Sequence, residues 1–69
     1  MTNSEVVSQL VTELKENGFS VSSVAENTGI SHVRLRNAMN GKSSRFDSKE
    51  VEELQDYRRL ALRLKGVSL

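Results

Sequence analysis

Apolar residues recur at intervals of three and four positions near the start of the chain. Five of them lie between residues 3 and 17: Val6, Val7, Leu10, Val11 and Leu14. This spacing gives one apolar stripe on an amphipathic helix. Thr2 and Glu5 have the spacing of a capping box, and Asn17-Gly18 is typical of a helix stop. A first helix is therefore predicted over about residues 3–17.

Two shorter helices are predicted in the next segment, and each begins at a serine. The second helix would run from Ser20 to about Thr28, and the third from Ser31 to about residue 40. Serine is a favoured N-cap because its hydroxyl accepts a hydrogen bond from a free backbone N–H of the first turn. A glycine directly follows each predicted end, where it favours a left-handed stop. The turn between the two helices is thus about three residues long.

A longer fourth helix is predicted over about residues 48–65. Asp47 supplies an N-cap, and Glu50 follows it at capping-box spacing. The main apolar stripe of this helix consists of Val51, Leu54, Tyr57, Ala61 and Leu64. A break near residues 57–59 would divide the segment into two shorter helices, and the pattern is compatible with both arrangements. The predicted fold is all-α, a small bundle of four to five helices.

Hydrophobic staples support these helix starts. In a staple, the residue before the N-cap packs against the fourth residue of the helix. Three such pairs are present in the sequence: Phe19 with Val24, Ile30 with Leu35, and Phe46 with Val51. The β-branched residues over 19–33 locally favour a strand, but the caps and the three- and four-residue spacing outweigh them.

Length and composition exclude several classes of protein. A chain of 69 residues forms one domain at most, so residues 1–69 are taken as a single domain. It has no cysteine and one histidine, His32, which leaves no disulfide and no thiolate or two-histidine metal site. No apolar run approaches the roughly 18 residues that span a bilayer, and the polar, acidic N-terminus does not resemble a signal peptide. We expect a cytoplasmic protein of a bacterial cell or nucleoid, without a membrane partner, cofactor, metal or small-molecule ligand.

The charges are grouped along the chain, although the net charge is only +1. Residues 27–46 carry four cations and no acid, residues 47–57 are strongly acidic, and residues 58–69 are purely basic. Blocks of this kind indicate a polarised surface, on which a basic stripe can face a polyanion. The alternative interpretation is that these charges only cover solvated faces.

The segment from residue 20 to residue 40 has the residue types of a helix-turn-helix. Ala25 is small, as two closely crossing helices require. Gly29 accepts the positive φ of a tight turn. The apolar Ile30 would be buried at the turn between the two helices, and Leu35 would pack against it. We therefore predict a helix-turn-helix at about residues 20–40.

This segment resembles the helix-turn-helix of the lambda-repressor and Cro-like phage regulators. The resemblance extends from Gly18 to Gly41, about a third of the chain, and Asn40-Gly41 matches the usual end of the family's third helix. It implies a lambda-repressor-like fold and sequence-specific binding of double-stranded DNA. One departure is Val21, which stands where many members have a glutamine that holds the DNA backbone.

The resemblance also implies that helix 31–40 enters the major groove as the recognition helix. We expect Ile30, Leu35 and Ala38 to face the core. Met39 should pack against the last helix. The residues expected to face the bases are Ser31, His32, Val33, Arg36, Asn37 and Asn40. Arginine can bind guanine and asparagine can bind adenine through paired hydrogen bonds, and valine can contact the methyl group of thymine.

Other residues are expected to contact DNA phosphates, which position a protein on the duplex but carry little sequence information. They are Ser20, Arg34, Lys42, Ser43, Ser44 and Arg45. Arg34 lies on the flank of the third helix, and the loop 41–45 places small hydroxyls between two cations. An ordinary solvated loop is the alternative interpretation of residues 41–45.

The predicted role is that of a small phage- or plasmid-type transcriptional repressor, which occupies an operator through the third helix. A catalytic site is not expected, because the pattern places no nucleophile beside a base. Two alternatives stay open: the DNA-binding domain of a transposition, recombination or replication protein, and a helical protein-interaction or antitoxin-like module. The acid-free segment 27–46 argues against the interaction module.

The C-terminal helix is expected to mediate a homodimer on DNA. The segment 60–69 carries more apolar residues than one helix face can bury within its own chain. Leu60 and Leu64 share one side of the helix, and Leu62 and Leu69 share another. The competing interpretation is a monomer whose tail folds onto the first helix.

Overall fold

Four α-helices and no strand make up the part of the chain described by the computed structural model, which covers residues 2–42 and 45–66. The helices are α1 (Asn3–Glu16), α2 (Val21–Thr28), α3 (His32–Met39) and α4 (Ser48–Leu64). The predicted all-α class is therefore confirmed. The 17 residues of α4 form one continuous helix, so the break considered near residues 57–59 does not occur.

The helix starts follow from their capping residues. Thr2 and Asp47 each form a capping box, in which the cap and the third helical residue bond to each other's backbone N–H. The Ser20 hydroxyl accepts a hydrogen bond of 3.1 Å from the backbone N–H of Ser23. Ser31 stands at the N-cap of α3, but its side chain makes no capping hydrogen bond. Ser31 is therefore confirmed as the N-cap residue of α3, but the hydroxyl bond typical of a capping serine does not form.

All four helices contribute to a single core. α1 packs against α3 and α4, and α2 packs against the same two helices. The buried apolar residues are Val7, Val11, Leu14, Val24, Ile30, Leu35, Ala38, Phe46, Leu54, Ala61 and Leu62. This list includes the three residues of the third helix and its turn that are predicted to face the core, Ile30, Leu35 and Ala38. Of the α3 residues outside the core, Val33 and Arg36 are exposed, whereas His32, Arg34, Asn37 and Met39 are partly buried.

The end of α4 differs from its predicted apolar stripe. The predicted main stripe includes Leu64, but this side chain is 80% exposed, whereas Leu62, outside that stripe, is only 1% exposed. The reason is the position of α1, which lies along the other side of α4. Arg58, one turn before Leu62, forms an ion pair with Glu13 of α1. Lys65 donates a hydrogen bond to the carbonyl of Asn17 at the end of α1.

Met39 also lies elsewhere than predicted. It is partly buried, and it lines a groove between the first turns of α1 and the segment that follows α3, rather than packing on α4. The cause is the packing of α3, which lies directly against α1. Within the described ranges, no helix is both long enough and apolar enough to cross a lipid bilayer.

Candidate nucleic-acid interface

Three residues, Gly29, Ile30 and Ser31, join α2 to α3. Gly29 has a left-handed φ of 76°, and its N–H donates a 2.9 Å hydrogen bond to the carbonyl of Ala25, which closes the last turn of α2. Any side chain with a Cβ is disfavoured at such a φ, so glycine makes the sharp turn possible. Ile30 is 4% exposed and anchors the turn in the core. The turn thus fixes where α3 begins and which face it buries.

Four of the six predicted base-contacting residues share the outer face of α3. These residues are Val33, Arg36, Asn37 and Asn40. Their spacing of three and four positions places them together on one side of a helix, opposite the buried Leu35 and Ala38. Val33 is 65% exposed, so its side chain is not part of the core.

The other two predicted base-contacting residues lie at the start of α3. Ser31 is exposed, and its hydroxyl is not used as a cap. His32 is partly buried and lies one helical turn before Arg36, which makes the two side chains neighbours on the flank of the helix. The five residues His32, Val33, Arg36, Asn37 and Asn40 are here called the α3 outer strip, whereas Ser31 stands four residues before the buried Leu35 and lies apart from them.

The chain leaves α3 through a tight helix stop. Gly41 has a φ of 74°, and the N–H of Lys42 donates a 2.8 Å hydrogen bond to the carbonyl of Asn37. A second bond of 3.2 Å runs from the N–H of Gly41 to the carbonyl of Ala38. This pair of bonds is the Schellman arrangement, which turns the chain away from the helix axis. Lys42 is consequently held just beyond the α3 outer strip.

The predicted phosphate-contacting residues fall into different settings. Lys42 and Arg45 are exposed, and both line the groove of about 760 Å³ beside the first turns of α1. Ser20 is exposed, but its hydroxyl already caps α2. Ser43 and Ser44 lie outside the described residues.

Arg34 lies in a setting that the sequence did not indicate. Its guanidinium forms two hydrogen bonds with the carboxylate of Glu50, at 2.6 and 2.8 Å, and a third with the carbonyl of Arg45. It also lies over the ring of Phe46, 4.7 Å from the ring centre. The guanidinium therefore holds α3 to the start of α4, and a DNA phosphate would have to compete with Glu50 for it. The positive charge near the α3 outer strip comes mainly from Arg36, Lys42 and Arg45.

The link between Arg34 and Glu50 makes part of the stability depend on pH. Hydrogen bonding to Arg34 lowers the pKa of Glu50 from its ordinary value of 4.5, while burial opposes the shift. A carboxyl with a lowered pKa in the folded state stabilises the fold above its unfolded pKa, and this contribution is lost as the pH falls through the folded value.

We expect the melting temperature of Glu50→Gln to fall less than that of the parent chain as the pH is lowered below 4.5. Glu52→Gln is the matched control, because Glu52 is exposed on the same helix and forms no ion pair with a described residue. Thermal denaturation followed by circular dichroism measures all three chains. Parallel pH curves for the parent and Glu50→Gln would contradict the expected role of this pair.

Metal-ligating side chains and buried polar groups were compared across the described residues. No three His, Asp or Glu side chains among them are grouped as a metal site, and no buried polar side chain in these ranges lacks a hydrogen-bond partner. Comparison with known proteins found no matching family model, no similar curated protein and no similar solved structure. The function is therefore inferred from the residues of this chain alone.

Proposed function

We propose that this chain binds double-stranded DNA in a sequence-specific manner, with α2, the turn 29–31 and α3 acting as a helix-turn-helix. One observation carries the proposal. The α3 outer strip holds Arg36, Asn37 and Asn40, whose side chains have no hydrogen-bond or ion-pair partner among residues 2–42 and 45–66. Polar groups that neither cap nor brace the fold are available for a ligand.

The chemistry of this strip suits the edges of base pairs. A major groove admits one α-helix, and each base pair presents there a distinct pattern of donors, acceptors and methyl groups. Arg36 can donate two hydrogen bonds to guanine, and an asparagine amide can both donate to and accept from adenine. The exposed Val33 can contact a thymine methyl group. The strip combines these three kinds of contact within the length of one short helix.

The charges around α3 support the same proposal. Residues 27–46 contain no acid, and Lys42 and Arg45 are exposed beyond the end of α3, at the level where a duplex backbone would pass. A local cluster of cations matters more than the net charge of +1, because phosphate contacts act over short distances in physiological salt. The resemblance to lambda-repressor and Cro-like regulators favours repression by occupation of an operator.

A gel-shift assay with random duplex DNA tests this proposal. We expect binding at low ionic strength that weakens steeply between about 50 and 200 mM salt, as counterion release requires. Circular dichroism under the same conditions establishes that the chain is folded. A folded chain that binds no duplex at the lower salt concentration would contradict the proposal and favour an interaction module that uses protein partners.

A further inference from the structure

The second half of α4 exposes two leucines on one face. Leu60 is 55% exposed and Leu64 is 80% exposed, and they lie one helical turn apart. The only other large apolar side chain this exposed among the described residues is Val33, which belongs to the α3 outer strip. Two adjacent exposed leucines on the outer, otherwise polar side of α4 form a small apolar patch of the kind that can bind another molecule.

A cavity lies beside Leu60, between α4 and the last residues of α2, Asn27 and Thr28. Its volume is about 410 Å³, and four of its lining residues come from α4: Glu53, Asp56, Tyr57 and Leu60. These positions are i, i+3, i+4 and i+7, which is the diamond of four residues that receives one side chain of a facing helix in knobs-into-holes packing. The same face of α4 thus carries a hole and, at Leu64, a knob.

We propose that a second copy of this chain packs on this face, with its α4 antiparallel to the first and a two-fold axis passing near Leu60. Leu64 and Asp56 lie four residues on either side of Leu60, so antiparallel pairing brings Leu64 of each copy level with Asp56 of the other. Along the helix axis, Asp56 lies near the middle of the hole that Glu53, Asp56, Tyr57 and Leu60 form. Each copy therefore inserts its knob into the hole of the other, as a two-fold interface requires.

The charges of α4 select the antiparallel orientation. Its first half exposes three acids, Glu52, Glu53 and Asp56, and one lysine, Lys49, whereas its second half exposes Arg59 and Arg63. Ion pairs inside the chain join Glu50 to Arg34 and Arg58 to Glu13, and the exposed Arg59 also lies 3.9 Å from Asp56 on the same helix. Antiparallel packing places the acidic half of one helix against the basic half of the other, with Arg63 near Asp56. Parallel packing would place like charges side by side, which is unfavourable.

This pairing does not depend on DNA binding, because the interface uses α4 and the proposed DNA contacts use α3. Analytical ultracentrifugation of the full chain without DNA tests it. We expect the average mass to rise from monomer towards dimer with concentration. Leu64→Ala should raise the dimer dissociation constant about tenfold or more, since two knobs are lost per dimer. Val33→Ala, the matched exposed apolar change on α3, should leave the constant unchanged.

A charge-reversal cycle tests the orientation. Arg63→Glu and Asp56→Arg should each weaken the dimer, and the double variant should restore it, because the reversed charges face each other across the interface. A double variant that is no tighter than either single variant would overturn the antiparallel arrangement.

A cysteine placed at the axis gives an independent test, because the chain contains no cysteine. Oxidised Leu60→Cys should form a covalent dimer, whereas Val33→Cys at equal concentration should remain largely uncrosslinked. A parent chain that stays monomeric at every concentration, together with no crosslink in Leu60→Cys, would overturn the proposal. That result would mean that this face is covered by another part of the chain or by a different protein.

Discussion

Leu35→Ala is expected to leave most of the chain unfolded at room temperature. Leu35 is fully buried where α3 packs on α1 and α2, and the substitution leaves a cavity in the centre of the core. Such a change costs about 2–5 kcal/mol, because the lost transfer free energy is added to the cost of the cavity. A core of this size contributes only about 3–5 kcal/mol of net stability, so the loss is comparable with the whole.

The matched control is Leu64→Ala, which makes the same chemical change at a site that is 80% exposed. Its free energy of unfolding should stay within about 0.5 kcal/mol of the parent value, as is usual for surface substitutions. Urea denaturation at low protein concentration, where dimer formation is negligible, measures all three chains. An equal free energy of unfolding for the two variants would show that Leu35 does not anchor α3 in the core.

Arg36→Ala is expected to abolish most of the discrimination at one base position. Loss of a paired contact to a base costs about 1–3 kcal/mol on the preferred site and little on a scrambled duplex. Lys42→Ala should weaken both duplexes about equally and flatten the salt dependence by about one unit, because we propose that Lys42 contacts phosphate and no base. Titration of preferred and scrambled duplexes at several salt concentrations separates the two effects.

The opposite pattern, with specificity lost in Lys42→Ala and kept in Arg36→Ala, would mean that another face of the protein meets the bases. No change in either variant, with folding intact, would move the proposal from DNA to a protein partner. Arg34→Ala is unsuitable for this comparison, because its guanidinium braces α3 against Glu50 and its loss would perturb the fold as well.

The helix boundaries could be predicted from sequence because they depend on residues close together in the chain. Ser20 and Asp47 cap their helices through hydrogen bonds to the third residue that follows, and Gly29 stops α2 through its own φ. Local bonds of this kind are determined by spacing alone. The same holds for the inner face of α3, where Leu35 and Ala38 are the apolar residues at helical spacing.

Contacts between distant residues could not be predicted in the same way. The bond between Arg34 and Glu50 joins positions 16 residues apart, and the sequence indicated only that Glu50 belongs to a capping box. The choice between Leu62 and Leu64 depends on where α1 lies against α4, because both leucines fit an apolar stripe of a helix taken alone. Periodicity gives the faces of a helix, and only the packing of the neighbouring helices decides which face is buried.

Selection of bound sequences from a pool of random duplexes tests the central claim most directly, when it is carried out with the parent chain and with Arg36→Ala in parallel. The claim is that the α3 outer strip contacts base edges in the major groove. We expect the parent to enrich a short consensus, and Arg36→Ala to lose the preference at one position of that consensus while it keeps the others. A folded parent chain that enriches no sequence over the starting pool would contradict the claim.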